Sequence, residues 1–326
     1  MPHSGLQIVE LRKVEPQDME PLLAEETAEW NQELDWDFTH NAEQVRRFAK
    51  LRSLPGIALL DRGQVAGYAY SVLEEPKGLI GDVYLRPGWR AVDSEMRMFK
   101  VMLDGLSASP GVTRVECQLM LVPPQAARVL QEDRFVRLFE RRLLSRESGE
   151  LSASPQDPAL HQQFRFDSWD ESARESLAGF IVRSYEGHVD GEINDQFTST
   201  KGASAFLRSL LDNSGCGELF RPASLFAIDR QTGTLSGMIL TSFVARDTAH
   251  IVQVCVAPEA QGLGLGRELL RRAVHATAEG GARRVSLTVT AANTRALRLY
   301  DRFGFREQRR FCAFVWDAEK RMSNSI

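Results

Sequence analysis

The strongest constraint in this sequence is an internal repeat, in which short segments of the first half recur 168 to 171 residues later. Four segments keep this spacing, and chance explains such regularity poorly. The repeat predicts two copies of one domain in tandem. The matching segments are Val83-Tyr84-Leu85-Arg86-Pro87 with Val254-Cys255-Val256-Ala257-Pro258, Val65-Ala66-Gly67 with Leu235-Ser236-Gly237, Arg114-Val115 with Arg284-Val285, and Asp133-Arg134-Phe135 with Asp301-Arg302-Phe303.

The length and composition agree with two domains. The chain has 326 residues, and one domain typically takes about 100–200. Hydrophobic residues make up 43%, which is enough for two cores. Residues 145–163 shift to Ser, Pro, Gln and acidic residues, a composition typical of a linker. We therefore predict domains over residues 1–147 and 164–326, joined by a linker over residues 148–163.

Charge, hydropathy and cysteine spacing exclude several classes of protein. The net charge is −4, whereas a nucleic-acid-binding surface usually needs a basic excess. No apolar run approaches the ~20 residues of a membrane span, and the N-terminus lacks the apolar stretch of a secretory signal. The cysteines form no CxxC pair, so neither a zinc site nor a disulfide framework is expected. We expect a cytoplasmic protein that binds no metal, nucleic acid or membrane, and the oligomeric state stays open.

Strands and helices alternate along the second half, which predicts an α/β or α+β fold. The pattern predicts a strand that ends at Val256, a helix over Gly266–Ala278, a strand over Arg284–Thr290 and a helix over Thr294–Phe303. Because the first half repeats the same landmarks, we predict for each copy a central mixed sheet flanked by helices. The long helix carries its small and apolar residues at helical spacing, at Leu269, Leu270, Ala273, Val274 and Thr277.

A glycine-rich turn between strand and helix is the first candidate site. Gly262, Gly264 and Gly266 let the backbone turn its N–H groups toward one point and leave room for a phosphate. The helix N-terminus adds roughly half a positive charge, so the turn suits a pyrophosphate. A Walker A loop is excluded because no Lys-Ser/Thr follows the glycines. A dinucleotide-binding domain is a poor match because only one more strand–helix pair follows.

Two motifs in this region resemble the acetyl-CoA-binding signature of the GNAT N-acetyltransferase superfamily, in the family's order and over about residues 251–316. They are Gln261-x-x-Gly264-x-Gly266 after a strand ending in Val-Ala-Pro, and Asn293-x-x-Ala296-x-x-Leu299-Tyr300-x-x-x-Gly304-Phe305. The resemblance implies acetyl-CoA as co-substrate, held between the strand ending at Val256 and the strand Arg284–Thr290. It implies that pantetheine pairs with strand backbone and that the Val256 amide polarises the thioester carbonyl. The cofactor contacts it implies are Val254, Val256, Gln261, Gly262, Leu263, Gly264, Leu265, Gly266, Arg267 and Asn293.

The reaction that the resemblance implies needs a proton donor for the departing thiolate. A thiolate whose thiol has a pKa near ~8.5 can take a proton from a tyrosine near ~10, and Tyr300 matches the family's tyrosine. Outside the motif, Tyr300 can equally be an amphipathic boundary residue. Asn293 can serve as a helix N-cap in addition to any contact with the cofactor.

An amine acceptor is mostly protonated at neutral pH, so the reaction requires a base. The sequence does not identify which residue is that base. The family usually contacts its acceptor in the turn between the predicted helices Glu171–Tyr185 and Ala203–Leu211. Glu186 and His188 are the candidates there, although a solvated acidic loop would show the same composition. The turn has four acids and no Lys or Arg, which favours a cationic amine, small-molecule or peptide. Further candidates are Asp190, Glu192, Asp195, His250 and Gln253.

The first copy departs from the motifs at each cofactor position. Two carboxylates are expected to face the pyrophosphate there, so this copy is expected to have lost acetyl-CoA binding. At the repeat spacing, Gln261, Gly264, Gly266, Asn293 and Tyr300 become Arg90, Asp93, Glu95, Gln125 and Glu132.

The sequence thus predicts an acetyl-CoA-dependent N-acetyltransferase whose second half acts by direct attack of a primary amine on the thioester. One alternative is an acyltransferase with another acyl donor or an oxygen acceptor. Another is a non-catalytic acyl-CoA sensor or scaffold. The motif residues Tyr300 and Asn293 argue against a sensor, which needs the phosphate turn but no acid for a thiolate.

Overall fold

In the computed structural model the chain forms two compact units, each with its own core. The structure describes residues 5–74, 76–90, 92–122, 124, 136–150, 158–169, 174–212 and 216–318. The first unit contains Met1–Arg141 and Arg310–Ile326, and the second contains Arg142–Arg309. The domain boundaries predicted from composition stay a prediction.

The first unit is a mixed sheet with helices. Neighbouring strands in the order β1-β2-β3-β4 are antiparallel, and β4 pairs with β5 in parallel. The strands are β1 (Leu6–Glu10), β2 (Gly56–Asp61), β3 (Gln64–Glu74), β4 (Lys77–Leu85), β5 (Arg114–Leu119) and β6 (Val136–Glu147), which continues into the second unit. The helices in the described part of this unit are α1 (Pro16–Leu34), α2 (Thr39–Lys50) and α3 (Val92–Ser107).

The second unit repeats the arrangement with strand order β12-β11-β10-β9-β7, in which the β11–β12 pair is parallel and the other pairs are antiparallel. Its strands are β7 (Phe164–Ser168), β8 (Glu218–Leu219), β9 (Leu225–Asp229), β10 (Leu235–Ala245), β11 (Thr248–Val256) and β12 (Arg284–Thr290). Its described helices are α4 (Pro158–Gln163), α5 (Arg174–Ser184), α6 (Asp190–Ile193), α7 (Thr200–Asp212), α8 (Leu265–Glu279) and α9 (Thr294–Arg302). The predicted mixed α/β fold is confirmed.

The last strand, β13 (Arg306–Asp317), begins in the second unit and belongs to the first from Arg310 onward. There it pairs antiparallel with β5. Phe314 and Trp316 enter the first core, where the Phe314 ring centre lies 4.6 Å from that of Phe99 on α3. The first unit therefore includes a strand from the C-terminal end of the chain.

The two faces of the second sheet carry separate cores. Because side chains alternate along a strand, Ile239 of β10 packs with α8, while Met238 and Leu240 pack with α5 and α7. Helix α8 ends at the predicted glycine pair, where Gly281 has φ of +91°, a conformation that favours glycine. The predicted apolar positions of α8 are all buried: Leu269, Leu270, Ala273, Val274 and Thr277.

The predicted elements near the motifs agree closely with the structure. The strand Arg284–Thr290 has the predicted bounds, and α8 is slightly longer than predicted at both ends. Within the predicted linker, residues 158–163 form α4, and Leu160 packs in the second core. No helix in the described part of the chain is long and apolar enough to cross a membrane.

Candidate active site

The second unit has an opening where β11 and β12 separate. Their parallel pairing ends at Ile251 and Leu287, whereas β11 continues to Val256 and β12 to Thr290. Beyond Ile251, the backbone groups of β11 that point toward β12 can therefore bind a ligand. The opening lies at the position where the family resemblance predicts the cofactor cleft.

Val254 and Val256 direct their backbone groups into this opening. Ala257 donates its N–H to a carbonyl of β10 at 2.9 Å, and the backbone groups of successive strand residues alternate between the two edges. Two side chains contact the edge of β11 that faces the opening. The Tyr185 hydroxyl donates to Val254 O at 3.3 Å, and Gln261 Nε2 donates to Val256 O at 3.3 Å.

The glycine turn leads into an exposed helix N-terminus. Gly262 and Gly264 have φ of +86° and +90°, a conformation that strains any residue with a Cβ. The N–H groups from Leu265 to Arg267 precede the first intrahelical bond of α8, which Glu268 donates to Gly264 O. The positive end of the helix dipole therefore lies at an exposed turn, as a phosphate site requires.

Gln261 and Gly266 connect the turn to the strand edge. Gln261 contacts Val256 through its amide nitrogen, and its Oε1 accepts from Arg295 at the start of α9 at 2.9 Å. A Cβ on Gly266 would lie 3.5 Å from Val256, an ordinary van der Waals distance. Leu263 is 46% exposed on the same turn. The strand end, the turn and the start of α9 are thus direct neighbours.

Asn293 caps α9 and contacts the acidic turn. Its Oδ1 accepts the Ala296 N–H at 3.1 Å, which confirms the predicted N-cap. With Oδ1 used in this way, the amide nitrogen faces His188, whose Nε2 lies 3.0 Å away. Asn293 therefore links the second motif to the turn that sequence reasoning assigns to the acceptor.

His188 has partners within the chain at both ring nitrogens. Besides the Asn293 contact, its Nδ1 lies 3.1 Å from the Asp190 N–H and 3.6 Å from the Asp190 carboxylate. Asp190 also accepts the hydroxyl of Thr290 at the end of β12. A neutral imidazole has one acceptor nitrogen, so the two N–H donors compete for it. His188 is therefore held in place by α9 and by its own turn.

The acidic turn lines an open cleft of about 720 Å³. Glu186, His188 and Glu192 lie on it, so three of the five residues proposed for the turn surround one space. Its apolar part includes Val182, Tyr185 and Phe197. Asp190 contacts His188 as described, and Asp195 precedes α7, where its carbonyl accepts from Thr198 and Ser199.

No sequence motif marks Tyr185, which connects this cleft with the strand edge. Its hydroxyl donates to Val254 O and accepts from Gln253 Nε2 at 2.7 Å. Its ring stacks on Phe197, with 4.1 Å between ring centres. The only sequence signal is an aromatic residue at a helix end before an acidic turn, which is too common to identify a site.

Tyr300 lies in the second core beside the opening. Its side chain is 7% exposed, and its ring meets Phe305 edge to face at 5.9 Å. Burial raises the pKa of Tyr185 well above its usual value, and Cys255, Asp190 and Tyr300 add to this shift. The Tyr300 phenol is thus near enough to influence Tyr185 electrostatically.

The two strand candidates differ in position. His250 is buried in the paired part of β11, where its Nδ1 lies 2.9 Å from Ser286 Oγ of β12. Gln253 lies in the separated part and contacts Tyr185. In the described part of the chain, no group of three or more His, Cys, Asp or Glu side chains can hold a metal ion.

Comparison with known families identifies the region that contains these features. Residues 192–305 match the model of the acetyltransferase (GNAT) family. The match includes the strand edge, the glycine turn, Asn293 and Tyr300. Residues 192–305 form a GNAT acetyltransferase domain by this match. GNAT is a family of acyltransferase enzymes.

Curated relatives named as acetyltransferases match parts of this chain. A Bacillus subtilis protein assigned as an N-acetyltransferase of alanine in ribosomal protein bS18 is 33% identical over 108 residues. The mycothiol acetyltransferase of Thermomonospora curvata is 41% identical over 86 residues. These alignments cover 33% and 26% of the chain, and 66% and 29% of the relatives, so the chain spans less than two thirds of each. The mycothiol acetyltransferase of Thermobispora bispora is 27% identical over 76% of the chain and 79% of its own length.

Solved structures extend the likeness in fold to almost the whole chain. A GCN5-related N-acetyltransferase from Sphaerobacter thermophilus has a TM-score of 0.66 at 16% identity, covering 96% of both chains. A tandem GNAT protein from the clavulanic acid pathway has a TM-score of 0.63 at 14% identity, covering 96% of this chain and 98% of its own. At these identities the comparison shows the GNAT fold.

In the first GNAT-like unit, an ion-paired arginine takes the place of Gln261. Arg90 donates from Nε to Leu85 O at 2.8 Å, and Leu85 is the counterpart of Val256 in the repeat. The same guanidinium binds both carboxylate oxygens of Glu29 at 2.5 Å. The strand edge of the first unit is therefore occupied by the chain's own charged side chains.

Glu95, the counterpart of Gly266, differs from expectation. Its side chain is buried and lies 4.0 Å from Arg90, so it does not face outward toward a phosphate. Arg90 offsets the charge of Glu95, which explains why the Glu95 side chain can be buried. The Asp93 side chain, Gln125, Glu132 and the landmark at residues 133–135 lie outside the described residues.

Two carboxyl groups are buried where β4 and β5 separate in the first unit. Glu26 and Asp82 are both buried, and Asp82 is the counterpart of Gln253. Glu26 accepts the Tyr68 hydroxyl at 2.8 Å. Burial, and then the neighbouring Asp82, raise the pKa of Glu26 well above its usual value. Burial also raises the pKa of Asp82.

Proposed function

We propose that the second unit binds acetyl-CoA and transfers the acetyl group to a primary amine. The observation that carries this proposal is the geometry around Val256, where a strand edge with available backbone groups ends beside an exposed helix N-terminus. Pantetheine can add to that edge as an extra strand, while the pyrophosphate binds the first N–H groups of α8.

The cofactor contacts in this proposal follow the chain from the strand edge to α9. Val254 and Val256 pair with the amides of pantetheine, and the Val256 N–H donates to the thioester oxygen. Gln261 holds the turn against the strand edge, and Asn293 lies at the start of α9. The pyrophosphate is bound by the turn and first helical residues: Gly262, Leu263, Gly264, Leu265, Gly266 and Arg267.

In the transfer step the amine nitrogen attacks the thioester carbon, a C–N bond forms and the C–S bond breaks. Before the attack, the bound ammonium gives one proton to Glu186, directly or through water, which frees the nitrogen lone pair. After the attack, the nitrogen releases its second proton to water, and the CoA thiolate takes one proton from Tyr300, which regains it from water. The Val256 N–H stabilises the oxyanion between the two events. His188 holds the turn that carries Glu186, through its contacts with Asn293 and Asp190. The products are an amide and free CoA thiol.

The charge of the cleft favours a cationic acceptor. Glu186 and Glu192 place two carboxylates on it beside one guanidinium, that of Arg183, and the excess of negative charge attracts a protonated amine before it loses its proton. By their names, one relative acetylates alanine of a ribosomal protein and others are mycothiol acetyltransferases. The proposed acceptor class therefore includes both protein amines and small-molecule amines.

We infer that the first unit has lost acetyl-CoA binding. Its strand edge is held by the Arg90–Glu29 pair, and a ligand would have to displace an ion pair that binds through two hydrogen bonds. The domain boundaries near residues 147 and 164 and the cytoplasmic location are proposals that rest on the sequence.

A thiol-release assay with acetyl-CoA tests this function. The acceptors are an alanine-initiated peptide, a lysine-containing peptide, spermidine and glucosamine. At least one should yield CoA thiol together with an amine that mass spectrometry finds heavier by one acetyl group. No acetylated amine from any of the four would contradict the proposed function.

A pair of variants at Gly266 tests whether the activity depends on phosphate binding at the glycine turn. Gly266→Glu should abolish it, because the new carboxylate repels the pyrophosphate, while a Glu in the first helical turn preserves α8. Gly266→Gln adds a side chain of similar size without the charge and should retain more activity. Equal activities of the two variants would show that the turn does not bind the phosphates.

A further inference from the structure

Tyr185 belongs to two surfaces of the second unit at once. It lines the cleft with Glu186 and His188, and its hydroxyl contacts the separated part of β11 at Val254 O. The proposed thioester site and the proposed acceptor site therefore meet at one side chain. No sequence motif includes it.

The hydrogen bonds of Tyr185 fix the direction of its O–H group. Gln253 Nε2 donates to the phenolic oxygen at 2.7 Å, so the phenol must use its own hydrogen elsewhere, and it donates to Val254 O at 3.3 Å. A phenolic oxygen can accept a second hydrogen bond. A carbonyl oxygen likewise accepts two, so Val254 can bind Tyr185 and pantetheine together.

The ring of Tyr185 is held from two sides. It stacks on Phe197 at 4.1 Å between ring centres and meets His188 edge to face at 5.1 Å. Its backbone N–H bonds to the last turn of α5, and its carbonyl accepts the His188 N–H at 2.9 Å. The hydroxyl is therefore presented from a rigid position, as a group that orients a substrate must be.

We propose that Tyr185 positions the acceptor amine, whose N–H donates to the phenolic oxygen so that the nitrogen lone pair points at the thioester carbon. This inference rests on the proposed acetyl transfer. Gln253 is a positioning residue that acts through Tyr185, since its amide directs the phenolic hydrogen toward Val254 and leaves the remaining lone pair for the amine.

The role is orientation rather than proton transfer. Burial raises the pKa of Tyr185 well above its usual value, so the phenol keeps its proton at neutral pH. Removing the hydroxyl should therefore weaken use of the amine without removing an acid or a base. This distinguishes Tyr185 from Tyr300, whose proposed role is to give up a proton.

Steady-state kinetics of Tyr185→Phe test the proposal, with the amine that reacts fastest in the panel above as acceptor. The variant keeps the stacked ring and loses only the hydroxyl. We expect KM for the amine to rise about three- to tenfold, the range for one lost hydrogen bond, while the Kd for CoA and the shape of the pH–rate profile stay unchanged. Tyr84→Phe, which loses a phenolic hydrogen bond to Glu29 in the first unit, is the matched control and should leave KM unchanged.

A double variant separates positioning from a general loss of structure. If Gln253 acts through Tyr185, the single variant Gln253→Leu should raise KM for the amine. The double variant Gln253→Leu/Tyr185→Phe should then have the same KM as Tyr185→Phe. An active wild type with unchanged KM in Tyr185→Phe, or additive effects in the double variant, would overturn the inference while leaving the acetyl transfer intact. A wild type that acetylates no amine in the panel would refute the proposed function, and this inference with it.

Discussion

The phenol of Tyr300 is the side chain on which the proposed chemistry depends most. Its ring is packed against Phe305, so Tyr300→Phe preserves the packing and removes only the hydroxyl. We expect kcat to fall by roughly 10²–10⁴-fold, the usual contribution of a general acid, with the Kd for CoA unchanged. Turnover should be measured at saturating acetyl-CoA between about pH 6 and 9. Equal turnover of variant and wild type across this range would leave Tyr300 a packing residue only.

Glu26 gives the first unit a dependence on pH whose sign can be worked out. The pKa of this carboxyl is raised in the folded state, mainly by burial and then by Asp82. The folded protein therefore binds the Glu26 proton more tightly than the unfolded chain does. The stabilisation is complete below the unfolded pKa of about 4.5 and is lost as the pH rises toward the folded pKa.

Glu26→Gln should remove this loss, because an amide can keep the Tyr68 contact without ionising. We expect the variant to be more stable than the wild type at pH 8, by about 1.4 kcal/mol for every tenfold difference in proton affinity between folded and unfolded states, with a smaller gain at pH 5. Thermal unfolding at several pH values checks it. Asp82→Asn should change stability in the same direction, since burial also raises the pKa of Asp82. Parallel curves of Tm against pH for the wild type and Glu26→Gln would contradict this account.

The start of helix α9 combines a structural and a functional contact in one side chain. Asn293→Asp keeps the oxygen that caps Ala296 but loses the N–H group that faces His188. Asn293→Ala loses both, and loss of a cap costs about 1 kcal/mol. We expect Asn293→Asp to keep the wild-type Tm and to raise KM for the amine, whereas Asn293→Ala changes both. If both variants kept the wild-type KM, the contact with His188 would have no part in the acceptor site.

Local pattern predicts the elements around the motifs well. Helix α8 could be predicted because its apolar residues repeat at helical spacing and a glycine pair ends it, and β12 because a run of β-branched residues precedes a turn. The four-residue helix α6 within the acidic turn has no such signal, since it is too short to show a period.

Some residues of the candidate site can be predicted from sequence motifs, and others are brought together only by the fold. Asn293 and Tyr300 lie in a motif, so the sequence indicates them directly. Tyr185 and Gln253 meet only because α5 packs across the separated end of β11, a tertiary contact that no spacing in the sequence reveals. The inward position of Glu95 has the same origin, because its partner Arg90 reaches it only in the folded unit.

At the scale of the whole molecule, the C-terminal strand is a part of the first unit that the sequence pattern does not reveal. A strand up to Trp316 is predictable from its apolar residues, but its partner β5 lies about 200 residues earlier in the chain. Such long-range pairing depends on the complete fold rather than on local sequence. The first unit is therefore built from two segments that lie far apart in the sequence.

Phe314→Ala tests this dependence. Phe314 is buried against Phe99, and deletion of such a ring costs about 3–5 kcal/mol. We expect hydrogen exchange to accelerate in peptides from α3 and β5, although the substitution lies near the C-terminus. Leu207→Ala, in the core that α5 and α7 form on the other face of the second unit's sheet, is the matched control and should accelerate exchange in α5 and α7 instead. Faster exchange of α5 and α7 in Phe314→Ala would contradict the assignment of this strand to the first unit.

Calorimetric titration of the full chain with CoA tests the central claim, that the second unit alone carries the acyl-CoA site. We expect one CoA site per chain, which Gly266→Glu abolishes and Arg90→Gln leaves unchanged. Arg90→Gln gives the strand edge of the first unit the residue that stands at the corresponding position, Gln261, in the second unit. Two sites per chain, or one site that survives Gly266→Glu and disappears with Arg90→Gln, would contradict it.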